Sequence, residues 1–519
     1  MLGVVLLSGS ALFSCSLFGQ GGLLPSSEDG ADYGALGLAL DPDGQGYAAK
    51  TSSFSLNSVH DTSGLLDLSS TGTQNILVIP VKVTDYASLA TARVSSDIYK
   101  GFFGAPEDTG WESLASFYYK SSFKQLLLKG TVSDWYDCGY STKEISALAS
   151  SYSGNYSDYY EPSWTILEDA VAWYKKTYAT GCSSFDRNND GVIEAVWLVY
   201  GAPHYTKTNG LSEDYWAYTY YDYDVIGKAL SQNDALPYHY SWASYDFLYE
   251  MEASWGYGKV DAHTYIHETG HLLGLDDYYV ADETATNAGP MGKIDMMDGN
   301  VIDHDAYSKF ALGWVKPYVV NDSCSIALRP ASTTGQCVLL PTGDGWNGSF
   351  ADEYLLLEYY TPTSLNEKDA SFTYANGLTG FTQGGVRIYH VDSRLVAYSI
   401  STQTFGEYSD YLLDSSTTRV AIAHSNTNTY NHVANKSFRL VQELDATRKR
   451  NFDEFQTVER TPPVADNGTL FQNGDSFSFA SFAASFPDGV TMNDGTTMPY
   501  SVSFSSMGDA SITLSITKN

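Results

Sequence analysis

Positive charge is what this chain has least of: its 519 residues carry 29 Lys and Arg against 61 Asp and Glu, a net charge of −32. A surface that anionic repels phosphate backbones and anionic lipid headgroups, which excludes nucleic acid and charged bilayers as partners. Charged residues of either sign make up only 17% of the chain, while tyrosine (41) and glycine (45) abound. That balance suits an exported, β-rich protein better than a cytosolic helical one. Cysteine is scarce, with five in all, and none has the short paired spacing of a thiolate zinc site. Beyond the first twenty residues no apolar run is long enough to cross a bilayer as a helix.

Those first twenty, MLGVVLLSGSALFSCSLFGQ, are too short for a mature membrane helix and end in small residues and a cysteine. They read as an export signal, which places the mature protein outside the cell or in its envelope. Leu12, Phe13, Ser14 and Cys15 resemble a bacterial lipobox, with Cys15 as the lipidated residue and the one link to a membrane. Phe13 is bulky for that motif, and no Lys or Arg precedes Lys50, so the basic start of a signal is missing. An ordinary cleaved signal is the alternative. The other four cysteines, Cys138, Cys182, Cys324 and Cys337, suit two disulfides in an oxidising compartment. Pairing sequence neighbours is the expectation, and buried free thiols compete with it.

A single core rarely grows past ~250 to 300 residues, so more than one unit is expected. Residues 16–72 are rich in Gly, Ser, Asp and Ala and read as a linker or a prosegment. A prosegment would cover a cleft, with an aspartate from EDGADYG or LDPDGQG reaching into it. From Asn75, NILVIPVKV is a β-branched apolar run that predicts a buried strand. SLASFYYKSSFKQLLLKGTVSDWY predicts a helix and then a strand, TILEDAVAWYKKTY a helix, and EAVWLVYG a second buried strand. After KFALGWVKP the helical pattern stops, and EYLLLEYY, GVRIYHVD, TRVAIAH and SVSFSSMGDASITLSIT read as strands. Ile512, Leu514 and Ile516 alternate there with polar residues, the period of a half-buried strand. The expected fold class is α+β, with a mixed α/β domain over 73–317 followed by a β-rich, sandwich-like unit over 318–519.

The chemistry concentrates in HETGHLLGLDDYY, residues 267–279. On a helix, His267 and His271 lie one turn apart on one face, where two imidazoles can hold one zinc ion. Glu268 sits beside that face, placed to act on a zinc-bound water as general base. Gly274 can adopt positive φ and turn the chain back, so that an acid three residues on reaches the metal. The count gives Asp277; the adjacent Asp276 is the alternative, otherwise a turn residue that orients a histidine.

This stretch, with KIDMMDGN and HDAYSKFALGWVKP after it, resembles the immune inhibitor A family of secreted bacterial zinc peptidases, peptidase family M-six, a metzincin-like group. SFYYKSSFKQLLLKGTVSDWY, EYLLLEYY and GVRIYHVD extend the likeness, which covers residues 73 to about 400. The resemblance implies a zincin-like catalytic domain, His267, His271 and Asp277 as zinc ligands, Glu268 as base, and Met297 as the methionine of the turn beneath the metal. Met296 is the rival for that turn. Many metzincins carry a tyrosine two residues after the methionine; Gly299 stands there, leaving Tyr307 or His304 as oxyanion stabilisers. His390 and Asp392 fall on a strand of the family, with no role assigned from their chemistry.

Two other stretches carry candidate sites. In DRNNDGVIE, Asp186, Asn188, Asp190 and Glu194 alternate oxygen ligands around Gly191, as a structural calcium loop does. An EF-hand is excluded, since Trp197 occupies the twelfth position; a solvated polar turn is the alternative. SEDYWAYTYYDYD offers Trp216 and several tyrosines as a cleft wall or as plain strand aromatics. The expected function is an exported, monomeric, zinc-dependent endopeptidase acting on protein or peptide substrates. The rival is a catalytically silent, zincin-fold surface binding or adhesion lipoprotein.

Overall fold

The structure is a computed structural model. It describes residues 47–49, 54–59, 67–151, 160–226, 228–231, 234–251, 255–256, 258–280, 289–374, 377–409, 418–427, 432–433, 437–452 and 463–519. The export signal, Cys15 and the stretches EDGADYG and LDPDGQG lie outside the described residues. Among those described, no helix is long and apolar enough to cross a membrane. The fold is mixed α/β with several sheets, and no barrel closes among the described residues.

β1 (Tyr47–Ala49) precedes β2 (Gly72–Lys82), the strand expected at NILVIPVKV. β2 is buried on both faces, pairing in parallel with β3 (Leu126–Val132) and β6 (Val196–Tyr200). The sheet continues through β9 (His239–Ser244) to β7 (Tyr218–Tyr221), an antiparallel edge strand, while the short β4 (Tyr136–Asp137) also pairs with β2. β5 (Val192–Ile193) and β8 (Leu236–Pro237) form a separate small ladder.

The alternation of β2 shows why its apolar run is unbroken. Ile76 and Val78 face one core with helices α1 (Ala92–Phe103) and α2 (Leu114–Ser121), while Leu77, Ile79 and Val81 face another with α3 (Ser163–Thr177). Strands covered on both faces lose the polar alternation that marks a one-sided sheet. The helices start where their caps dictate: the Thr91 side chain accepts the Val94 amide, and Ser113 and Ser116 form a reciprocal capping box.

The C-terminal half contains two stacked sheets. The larger runs β1, β10 (Tyr318–Val320), β12 (Cys337–Pro341), β13 (Glu353–Tyr360), β14 (Gly385–Asp392) and β18 (Val441–Glu443). The smaller orders β11 (Cys324–Leu328), β21 (Ser511–Lys518), β20 (Tyr500–Gly508) and β19 (Ser476–Ser478). β15 (Leu395–Ser399), β16 (Thr404–Tyr408) and β17 (Thr418–Ile422) form a third. Between the first two lie Val338, Leu340, Leu355 and Leu357 with Phe504, Ile512, Leu514 and Ile516. The residues that alternate with them, Leu339, Leu356, Tyr389 and Val391, join the core of α1, α2 and the histidine helix instead.

The α/β half and the β-rich half therefore share one continuous core, and residue 317 is no seam in the packing. The described parts of residues 16–72 are built into it as well. β1 pairs with β10, Leu56 and Leu68 are buried in the shared core, and the Trp314 indole donates to the Ser70 carbonyl at 2.7 Å. A chain ending at residue 317 would strip Trp346 and Tyr354 from Phe310 and remove Leu339, Leu356, Tyr389 and Val391 from the shared core, and burying a large side chain is worth ~1.5 to 3 kcal/mol. The shortened chain is expected to aggregate or lose cooperative thermal unfolding. A soluble fragment melting as sharply as the full chain contradicts the shared core.

The expected disulfides are corrected: none forms among Cys138, Cys182, Cys324 and Cys337. Cys324 opens β11 and Cys337 opens β12, which belong to different sheets. The Cys138 thiol instead donates to the Lys82 carbonyl at 3.2 Å, and burial pushes the Cys182 thiol up to about 11.

Candidate metal centre

Helix α4 (His263–Leu272) carries the two histidines of HETGH. It ends at Gly274, whose φ of +92° turns the chain so that Asp277 comes back beside them. Asp277 Oδ1 lies 3.0 Å from His267 Nε2 and 3.2 Å from His271 Nε2, and the two Nε2 atoms are 3.2 Å apart. A tetrahedral ion with bonds of ~2.0 to 2.1 Å separates its ligand atoms by about 3.3 Å, so this triangle has zinc dimensions.

The far side of each imidazole is fixed as well. His267 Nδ1 donates to the Met296 carbonyl and His271 Nδ1 to the Leu275 carbonyl, both at 2.8 Å, which leaves each Nε2 lone pair aimed into the triangle. Electrostatics agree with that demand for a cation. Burial acts to raise the Asp277 carboxyl, yet His271 and His267 hold it well below the usual carboxylate range. Burial lowers His271, and the Asp277 carboxylate overcomes it and raises the imidazole to about 10. The three groups balance only with a positive charge among them, from a proton or from a divalent ion. Two imidazoles and one carboxylate, with room for a further ligand, make a donor set that fits zinc.

Asp276 turns away. Its carboxylate accepts the Ser425 hydroxyl and the Asp277 amide, and burial raises its pKa to about 6. Met297 and Met296 divide the work beneath the site. A Cβ on Gly270, between the histidines, would sit 2.5 Å from Met297 Sδ, so Met297 packs directly under the helix, whereas Met296 supplies the carbonyl that orients His267.

Glu268 is buried, and burial raises its pKa above the usual carboxylate value. Its Oε2 accepts the Thr219 hydroxyl at 3.0 Å, which ties the carboxylate to edge strand β7. Two cavities of about 660 and 360 Å³ meet at Ala217, Glu268 and Tyr279. Trp216, 52% exposed, lines the smaller; Tyr218, Tyr220, Tyr221 and Tyr223 line the larger. The aromatic stretch is thus a cleft wall. His424 and Ser425 of the C-terminal half and Leu56, Val59 and Asp67 of the N-terminal segment complete the larger cavity.

The two oxyanion candidates are corrected. Tyr307 and His304 are buried and line neither cavity beside Glu268. His304 packs edge-on against Phe117, and burial, then the charge of Lys309, drives its pKa well down. Tyr279, not singled out from the sequence, stands at the cleft instead. Its ring stacks on His267 at 6.4 Å, and burial, then the Asp277 carboxylate nearby, raises its hydroxyl pKa. His263 was also missed, though it lies one turn before His267. It is no part of the triangle: it stacks on Trp111 at 4.2 Å and pairs with Asp261 at 2.6 Å and Asp369 at 3.4 Å. Burial lowers its pKa, and those two carboxylates together raise it to about 10. His390 pairs with Glu353 at 2.7 Å, and Asp392 holds Arg394 and His424, so both serve the C-terminal core.

The DRNNDGVIE loop closes on itself. Asp186 Oδ2 accepts the Gly191 amide at 3.0 Å, Asn188 Oδ1 the Asp190 amide at 3.0 Å, and Asp190 Oδ1 the Val192 amide at 2.9 Å. Asp186 Oδ1 is buried without a partner, and burial raises Glu194 to about 7. One orphaned, desolvated carboxylate oxygen suits a hard cation, although the carboxylates of Asp186, Asp190 and Glu194 do not converge within 4.8 Å of one another. Lowering free calcium with a selective chelator, or Asp190→Ala, is expected to depress the melting temperature and leave zinc content intact; an unchanged melting curve in both counts against calcium here.

No protein-family model matches the chain, and no curated protein matches it.

Proposed function

We propose that the chain is a zinc-dependent endopeptidase of zincin-like arrangement, related to the immune inhibitor A group by the likeness of its motifs. The observation that carries the reading is the triangle of His267, His271 and Asp277 with Glu268 at the meeting point of two cavities. His267, His271 and Asp277 hold the metal. When bound, zinc acidifies a water and polarises the scissile carbonyl. Glu268 takes the water's proton on its carboxylate and delivers it to the leaving amide nitrogen, a role for which its raised pKa and its anchorage to Thr219 suit it. Calcium at Asp186, Asn188, Asp190 and Glu194 is a structural part of the same reading. Export, with Cys15 as lipid anchor, rests on the sequence alone.

The larger cavity also favours a class of substrate. Asp67, Glu161, Glu213 and Asp214 line it, and no Lys or Arg does among the described residues. A cleft of one sign concentrates ligands of the other, in a salt-dependent way. Digestion of a peptide library by the zinc-loaded chain is expected to give internal cleavage, concentrated near Lys and Arg and weakened by added salt. No cleavage at all would favour the silent binding or adhesion protein; cleavage indifferent to basic residues and to salt would refute the electrostatic preference alone.

A further inference from the structure

Glu168 stands on α3, and Asp222 and Asp224 flank Tyr223 in the turn after β7. One carboxylate oxygen from each lies within 4.8 Å of the other two. Acidic groups often gather at a surface without binding anything, but Asp222 is not at the surface. It is 1% exposed; its Oδ1 accepts the Asp224 amide at 3.0 Å, and its Oδ2 has no hydrogen-bond partner. A buried carboxylate oxygen without a donor is costly and calls for a counterpart. Burial first, then the charge of Glu168, pushes the Asp222 pKa up to about 7. The nearby ammonium does not reach it by a hydrogen bond: Lys228 Nζ pairs with Glu168 Oε1 at 3.3 Å, toward solvent. The Lys228 ammonium meets the cluster at Glu168 and leaves Asp222 Oδ2 without a donor.

The geometry points to a second cation site, for calcium, formed by the carboxylates of Glu168, Asp222 and Asp224. The three donors are oxygens of hard anions with no imidazole or thiolate among them, which disfavours zinc. Access from solvent past the exposed Glu168 leaves places for water, and calcium tolerates such an irregular shell better than magnesium does. The ion would clamp α3 to the turn after β7, whose Tyr223, with Tyr221 at the end of that strand, lines the larger cavity, and so brace the cleft wall from behind. The site is separate from the DRNNDGVIE loop and does not depend on the peptidase reading.

Calcium titration of the zinc-loaded full chain by calorimetry tests it, with Asp190→Ala as the background that removes the other candidate loop. In that background Asp222→Asn should abolish a remaining calcium site. Glu168→Gln, at an exposed helix position where folding is not at stake, should weaken it on the order of tenfold. Lys228→Ala should strengthen it, on the order of fivefold, because a competing positive charge leaves the cluster. A merely structural role for these carboxylates would not tighten calcium binding when a lysine is removed. The proposal is overturned if the Asp190→Ala background binds no calcium, if Glu168→Gln binds it as the background does, or if Lys228→Ala leaves the affinity unchanged.

Discussion

Glu268→Gln is expected to retain zinc and the fold while losing turnover by a factor on the order of 10² to 10⁴, the worth of a positioned general base. The amide has the size of the carboxylate, and its oxygen can still accept the Thr219 hydroxyl that now reaches Glu268 Oε2 at 3.0 Å. It removes a charge whose pKa burial has already raised, so the fold loses little by the exchange. What it cannot do is take a proton from water and give it to the leaving nitrogen. Zinc content by metal analysis, melting temperature and peptide cleavage, measured on one preparation, separate these effects. Full turnover in the amide variant with zinc bound would falsify the assignment of Glu268 as base. Loss of zinc together with turnover would move Glu268 from proton transfer to metal binding.

Asp277→Ala is the second large effect, and its contrast with Asp276→Ala is the sharper measurement. Asp277 Oδ1 stands 3.0 and 3.2 Å from the two imidazole nitrogens, so its removal opens the triangle and takes away its negative charge. Asp276, one residue earlier, gives its oxygens to Ser425 and to the Asp277 amide. Partners that only orient a ligand are worth about 10- to 100-fold in metal affinity. Asp276→Ala should fall within that range or below it, and Asp277→Ala should exceed it. Zinc affinities measured by competition with a chromophoric chelator decide the matter, and a greater loss in Asp276→Ala would transfer the ligand role by one residue.

Much of the centre was legible because its logic is local. A spacing of four on a helix puts His267 and His271 on one face whatever the rest of the chain does, and a glycine three residues on permits the turn that returns Asp277. The same periodicity is blind to His263, which shares that face. Its exclusion comes from Asp261, from Trp111 and from Asp369, which lies 106 residues further along the chain. Their nearness in sequence to Met297 makes His304 and Tyr307 candidates for the oxyanion role. The chain turns both into the core, while Tyr279, beside the third ligand, remains at the cleft. Nothing in the one-dimensional order separates Tyr278 from Tyr279, yet Tyr278 is buried against Ser308 and Tyr279 stacks on His267.

Taken by itself, the sequence determined the strands at NILVIPVKV and EAVWLVYG, the histidine helix and its turn, and the alternation of Ile512, Leu514 and Ile516. Each follows from side-chain periods of 2 and 3.6 residues and from backbone limits that act over a few positions. Tertiary structure alone decided that residues 47–72, where described, belong to the core, that residue 317 is no boundary, and that Cys324 and Cys337 lie in different sheets. It also decided that Glu168 meets Asp222 and Asp224. Such meetings depend on how distant segments are brought together to bury their apolar faces, and local spacing carries no record of which distant face covers which.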